Sequence, residues 1–202
     1  MKGIMYHSPM VYELLIKFCH YEVYDQRIEA LRNFIGTSSV LELGCGTARM
    51  QDHLPGVSYL GIDKNKNFIS YAQKKKRNAV YDDIMNFQKY LNNDYSNILL
   101  MDVLHHIPEP GKLIDELMRS RISNIIICEP YNQPESRLHS SKLLNRLFDA
   151  DGINDSVDWF DRDMLLSFYK KYGANEFVEL KNAIITRIPC NKKREILECR
   201  VR

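Results

Sequence analysis

Five short apolar runs, Val40 to Leu43, Ser58 to Ile62, Ala79 to Tyr81, Asn97 to Met101 and Asn124 to Cys128, recur between polar stretches long enough for a helix. Parallel neighbours in a sheet need a crossover, and the commonest crossover is a helix. The alternation therefore predicts an α/β fold, a mostly parallel sheet with helices on both faces. Before the first run, Val11, Leu14, Leu15 and Phe18 repeat at helical spacing. Tyr24, Ile28, Leu31 and Ile35 do so again, and Gly36 supplies a helix stop.

The rhythm changes after Pro130. Residues 131–160 read as a polar, irregular insertion with one helical piece around Leu138, Leu143, Leu144 and Leu147. A last helix is expected from the N-cap Asp161, with Met164, Leu165, Phe168, Tyr169 and Tyr172 on one face and Gly173 as its stop. Two strands should close the chain, Phe177 to Ile188 and Glu195 to Val201, paired antiparallel through "PCNKK". The 202 residues, 45% hydrophobic and 27% charged, suit one folded domain. Its expected parts are N-terminal helices at 1–35, a ligand-binding core at 36–130, the insertion at 131–160, and a closing helix with strands at 161–202.

In an open parallel sheet, ligands bind beyond the carboxyl ends of the strands, near the point where strand order reverses. The loop in "VLELGCGTARM", residues 40–50, is the place to look. A dinucleotide fingerprint wants a third glycine where this chain has Arg49, and no Lys-Ser or Lys-Thr pair completes a phosphate loop. Glu42, two residues before Gly44, would repel a pyrophosphate and attract a cation. Asp63 ends the second run, where a carboxylate can accept hydrogen bonds from a ribose. Asp82 and Asp83 end the third, and Asp102 ends the fourth. Carboxylates delivered to one rim suit a cationic nucleoside.

"VLELGCGTARM", "YLGIDKN", "VYDDI" and "LLMDVLHHIPEP", in this order and spacing, resemble the motifs of class I S-adenosylmethionine-dependent methyltransferases. The resemblance is to the small-molecule branch with a V-L-H-H turn after the fourth strand, and it spans about residues 36–130. It implies a Rossmann-like, seven-stranded sheet with an antiparallel last strand, and S-adenosylmethionine as cofactor, with S-adenosylhomocysteine as product. It also implies roles: Glu42, Gly44, Cys45 and Gly46 around the methionine part; Asp63 on the ribose hydroxyls with Lys64 beside the adenine; Asp83 on the adenine amino group with Ile84 in contact; Met101, Asp102 and Val103 near the sulfonium. The chain departs from the family pattern at Ala48, which replaces a third glycine and fits if the backbone there is helical, and at Ser96 or Asn97, where the fourth strand commonly starts with an acid.

His106 and Tyr131 are the catalytic candidates. A histidine positioned on a hydroxyl acceptor contributes about 100- to 10,000-fold in rate as a general base, though a structural histidine bonding loop carbonyls is the competing reading. Glu129 either positions a substrate or satisfies the turn before Pro130. Adjacent His105 and His106 lack a spaced third ligand, so no metal site is expected. Tyr6, His7, Tyr12, Tyr21 and Tyr24, with the insertion's His139, Trp159 and Phe160, are candidates for a lid that excludes water.

A net charge of +2 does not demand nucleic acid, and the clusters Lys74 to Arg77 and Lys192 to Arg194 read as solvated surface. Five cysteines without a CxxC pair read as free thiols, and no run reaches membrane-spanning length, so a cytoplasmic protein is expected. The leading expectation is a methyltransferase for a small-molecule acceptor. Its rivals are a methyltransferase for RNA or protein and a non-catalytic S-adenosylmethionine-binding regulator; the oligomeric state is not legible.

Overall fold

The computed structural model describes residues 7–19, 23–93, 95–131 and 160–190. Helices α1 (Pro9–Cys19) and α2 (Tyr24–Ile35) precede strand β1 (Val40–Leu43). The units β2 (Tyr59–Asp63), α3 (Lys66–Lys74), β3 (Ala79–Tyr81), β4 (Asn97–Met101), α4 (Pro110–Arg119) and β5 (Asn124–Pro130) follow in the predicted alternation. Helix α5 (Arg162–Lys171) and strands β6 (Glu176–Glu179) and β7 (Ala183–Pro189) complete the described fold. The seven strands form one sheet in the order β3-β2-β1-β4-β5-β7-β6. β1 to β5 pair in parallel, and β7 runs antiparallel to both of its neighbours, β5 and β6.

Successive strand residues face opposite sides of the sheet, and the two cores follow that parity. Leu41, Leu43, Ile98, Leu100, Ile125 and Ile127 pack with Leu113, Ile114 and Leu117 of α4 and Leu165 and Tyr169 of α5. Val40, Leu99, Ile126, Cys128 and Ile185 pack with Ile28, Leu31 and Ile35 of α2 and Ile69 and Ala72 of α3. Continuous apolar runs are what a strand buried on both faces requires. The order reverses at β1, which pairs with β2 on one side and β4 on the other. The ligand crevice therefore lies over the carboxyl ends of β1 and β4.

Caps appear where the sequence places them. Asp161 accepts from the Met164 amide at 2.7 Å, and the Gly36 amide donates to the Arg32 carbonyl at 2.8 Å. One expectation is corrected: the single strand predicted from Phe177 to Ile188 is a hairpin. Its tight turn is closed by the Leu180 amide on the Ala183 carbonyl at 2.9 Å, and Glu179 stands opposite Ile184. A run of strand-forming residues hides a turn when the turn is no longer than "LKN". The predicted strand from Glu195 to Val201, the basic cluster at Lys192 to Arg194 and most of the 131–160 insertion lie outside the described residues. Among the described residues, no helix is long and apolar enough to cross a membrane.

Candidate active site

The loop after β1 is bent by glycine. Gly44 and Gly46 have φ of 76° and 55°, the left-handed region in which a Cβ is strained. A Cβ on Gly44 would also lie 2.6 Å from Cγ2 of Val103, so the loop runs hard against the turn that follows β4. The amides of Gly44 and Cys45 donate to the Ile62 carbonyl of β2 at 2.8 and 3.0 Å, tying three strand ends together. The expectation of helical backbone at Ala48 is corrected: its φ is 54°. Ala48 keeps the left-handed geometry of a glycine, at a cost of about 1–2 kcal/mol, and its methyl is fully buried. Burial, with Glu42 and Asp63 nearby, pushes the Cys45 thiol far up, which leaves it a neutral loop filler.

Glu42 and Asp63 flank this loop. Glu42 is 4% exposed and accepts a short hydrogen bond from the Tyr59 hydroxyl. Burial raises its pKa; the Tyr59 bond opposes that, Asp63 and Asp102 add to it, and the carboxyl is pushed up to about 8. Asp63 accepts from the Gly46 amide at 2.8 Å and the Asn65 amide at 2.7 Å, which turns its carboxylate toward the glycine loop. Lys64 beside it is exposed. At the end of β3, Asp83 is exposed and accepts from the Met85 amide at 2.9 Å, while Ile84 packs against the core. Asp82 is the better-anchored of the two, bonded to Asn86, Tyr90 and Lys89. The bonds from Asn86 and Tyr90 hold it below the usual carboxylate range.

The turn after β4 is pinned from two sides. Asp102 has φ 56°, and its amide donates to the Cys128 carbonyl at 2.9 Å. Its carboxylate takes a short ion pair from the fully buried Arg27 of α2. The same guanidinium reaches the Cys128 sulfur with Nε at 3.2 Å and Nη2 at 3.1 Å. Burial acts to lower the Arg27 pKa, and the neighbouring Asp102 and Cys128 more than reverse it. On the other side, the fully buried Glu129 accepts from the amides of Val103, Leu104 and His105 at 3.2, 3.0 and 3.2 Å, and pairs closely with His105 Nδ1. Glu129 therefore satisfies the turn after β4, where the sequence suggested a substrate or the turn before Pro130. Met101 continues β4 to the same rim. The rings of His105 and His106 lie 3.9 Å apart, and His106 is the more exposed. Tyr131 donates its hydroxyl to the carbonyls of Leu180 and Lys181 at 3.1 and 3.2 Å, which ties it to the β6–β7 turn.

The structure thus gathers Glu42, the glycine loop, Asp63 and the Asp102 turn, and leaves Asp83 and Lys64 on an outer rim. Sequence reasoning missed Arg27, although a signal existed: it lies one turn from Leu31 on the apolar face of α2, where a charge calls for a buried partner. Arg77, read as solvated surface, is 8% exposed and ion-paired with Glu13 and Asp52, which corrects that expectation.

Residues 41–124 match the family model described as a methyltransferase domain. This stretch, the core of the sheet from β1 to the start of β5, is similar to a methyltransferase domain. Several of the similar solved structures hold S-adenosylmethionine or S-adenosylhomocysteine. No curated protein matches the chain significantly. Among solved structures, a methyltransferase from Thermotoga maritima described as a possible histamine N-methyltransferase aligns with a TM-score of 0.63 at 17% identity, covering 93% of this chain and 100% of that one. A methyltransferase from Aquifex aeolicus aligns with a TM-score of 0.58 at 16% identity over 90% and 98% of the two chains. The magnesium protoporphyrin IX methyltransferase of Synechocystis, solved with bound S-adenosylmethionine, aligns with a TM-score of 0.56 at 15% identity over 85% and 80%. At these identities the shared property is the fold.

Proposed function

We propose that the protein transfers a methyl group to a small-molecule acceptor. The observation that carries the reading is the set of carboxylates, Glu42, Asp63 and Asp102, around a glycine loop whose left-handed turns leave room for a ligand against the backbone. With Glu42 largely protonated near neutral pH and Asp102 paired with Arg27, Asp63 supplies the negative charge and the other two supply polar oxygens, a lining that fits a cofactor with a sulfonium, an amino group and a ribose and no phosphate. S-adenosylmethionine supplies an electrophilic methyl on that sulfonium when bound. Asp63, already fixed by the Gly46 and Asn65 amides, keeps lone pairs for the ribose hydroxyls. Glu42, Gly44, Cys45 and Gly46 flank the methionine part, Lys64, Asp83 and Ile84 the adenine, and Met101, Asp102 and Val103 the reacting end.

The pinned β4 turn makes its contribution through position. Arg27 and Glu129 fix the backbone of Asp102 to His105, so the lining near the reacting methyl is set before an acceptor arrives. His106 is the candidate general base, because it borders this turn and is not the histidine held by Glu129. Tyr131 becomes a support for the β6–β7 turn, since its hydroxyl hydrogen is directed at backbone carbonyls.

The inward commitment of Arg77 to Glu13 and Asp52 supports a small acceptor over RNA, because it removes one cation from the basic run at Lys74 to Arg77. Calorimetric titration with S-adenosylmethionine, S-adenosylhomocysteine and a nicotinamide dinucleotide tests the site. Binding of the first two alone is expected, and binding of neither overturns the reading. An acceptor panel then separates small amines, hydroxyls and carbon acids from RNA, whose binding would fall with added salt. In the same assay His106→Ala should lower turnover by more than about tenfold if His106 is the base.

A further inference from the structure

Glu42 interrupts the apolar run of β1, and its described hydrogen-bond partner is Tyr59, which opens β2. The two residues are 4% and 3% exposed. A carboxyl is costly to bury unless it is hydrogen-bonded, and apolar side chains at both positions would suit the sheet core without that cost. Packing therefore does not account for the pair. We infer that Tyr59 is a positioning residue of the cofactor site that acts through Glu42: its hydroxyl takes Oε2 and leaves Oε1 to receive the ammonium of the cofactor's methionine part. This rests on the S-adenosylmethionine reading above.

Gly61 makes room for the contact. In the β1–β2 register Tyr59 stands opposite Val40, and Glu42 stands opposite Gly61, so the phenol must run along its own strand to reach the carboxyl. A Cβ on Gly61 would lie 3.0 Å from the Tyr59 hydroxyl oxygen and 2.5 Å from the Cys45 sulfur. Gly61 is not one of the left-handed glycines, so what it supplies is space. The same space takes Cys45, which brings the phenol beside the glycine loop.

The charges around the pair give the hydroxyl its task. Burial, and then Asp63 and Asp102, favour the neutral form of Glu42, and the Tyr59 bond opposes them. Burial keeps its other titratable neighbours, the Cys45 thiol and the Tyr12 phenol, neutral. Burial, with Glu42 and Cys45, likewise keeps Tyr59 protonated against the pull of Arg77, so it remains a donor. An arriving ammonium supplies positive charge beside Glu42 and favours its ionisation, the proton leaving to solvent. A phenol already donating to Oε2 stabilises the carboxylate so formed.

The test is calorimetric titration of S-adenosylhomocysteine, and of methylthioadenosine, which lacks the amino-acid end, into the full chain, Tyr59→Phe, Glu42→Gln and the double variant. Thermal melting of each unliganded protein checks folding. Tyr59→Phe should weaken S-adenosylhomocysteine by about five- to tenfold and methylthioadenosine by less than about twofold. Beside Glu42→Gln the same substitution should cost S-adenosylhomocysteine less than about twofold, because the two residues act as a unit. Equal losses for the two ligands, unchanged affinity for S-adenosylhomocysteine, or a loss that persists beside Glu42→Gln overturns the inference. Should Tyr59→Phe fail to fold, Tyr59→fluorotyrosine, a stronger donor of nearly the same size, decides: S-adenosylhomocysteine should gain affinity over methylthioadenosine, and an unchanged ratio overturns the inference. Failure of the parent to bind either ligand counts against the cofactor reading, whereas normal parent binding with an unselective Tyr59→Phe counts against Tyr59 alone.

Discussion

The two halves of the rim over the sheet are built differently. On the β1–β2 side, the glycine loop and Asp63 are joined by bonds spanning under 20 residues: Gly46 reaches Asp63 across 17, and Asp63 holds Asn65 across 2. On the β4 side, Asp102 is held by Arg27 from 75 residues away and the turn amides by Glu129 from 24 to 26 residues away. On the proposed reading the first half presents its carboxylate to a ligand, whereas the second commits buried charges to holding backbone. Damage to the first should therefore appear as lost affinity, and damage to the second as lost stability.

Arg27→Met is the strongest test of that division. It removes the cation paired with Asp102 and strands a partly buried carboxylate, and breaking such a pair costs about 3–5 kcal/mol. Urea unfolding should show that loss; a change under about 1 kcal/mol would put the pair among interactions of surface strength and erase the contrast. Asp63→Ala should do the reverse. Hydrogen bonds to a charged acceptor are worth roughly 1.5–3 kcal/mol, so cofactor binding should weaken by about tenfold to over a hundredfold by calorimetry, with a smaller stability loss than Arg27→Met from the freed Gly46 and Asn65 amides. Unchanged affinity would remove Asp63 from the ribose.

Glu42 gives the comparison a pH dependence. Its carboxyl, ordinarily near 4.5, is pushed up to about 8 by burial and by Asp63 and Asp102, against the Tyr59 bond. Between those values the unfolded chain has released this proton and the folded chain retains it. The unfolded state then binds fewer protons, and stability falls as pH rises, by at most about 1.4 kcal/mol per pH unit. This contribution is fully present below pH 4.5 and is lost through pH 8. Denaturant unfolding of the ligand-free protein across this range should show the slope, and Glu42→Gln should flatten it. A slope shared by both proteins would assign the effect to another group.

The same division decides what was legible in the sequence. The strand alternation and the glycine loop are local patterns, written in spacings of a few residues, and Asp63 is found by counting from the loop. Arg27 and Cys128 are partners at long range, and nothing in a spacing says which carboxylate a buried cation meets. Glu129 is the intermediate case: its place at the end of β5 was legible, but its three amide partners depend on how β4 turns. The hairpin inside 176–189 was missed because "LKN" carries no glycine or proline to mark a turn. Ala48 was misjudged because an alanine gives no sequence sign of left-handed backbone.

Asp83 sets the lower bound on the affinity half. It is exposed, and its described bond is a local one to the Met85 amide, so it is held less firmly than Asp63. A hydrogen bond from the adenine amino group to an exposed carboxylate is weakened by solvent to about 0.5–1.5 kcal/mol, and Asp83→Ala should weaken S-adenosylhomocysteine by roughly two- to twelvefold. Inosine-containing S-adenosylhomocysteine, which carries an oxygen in place of that amino group, separates the contact from a general charge effect. If Asp83 accepts from the amino group, the analogue binds weakly to the parent and the substitution costs it little. If Asp83 acts only through its charge, adenine and inosine ligands lose affinity by the same factor, and the carboxylate that reads the base must be sought elsewhere on the rim.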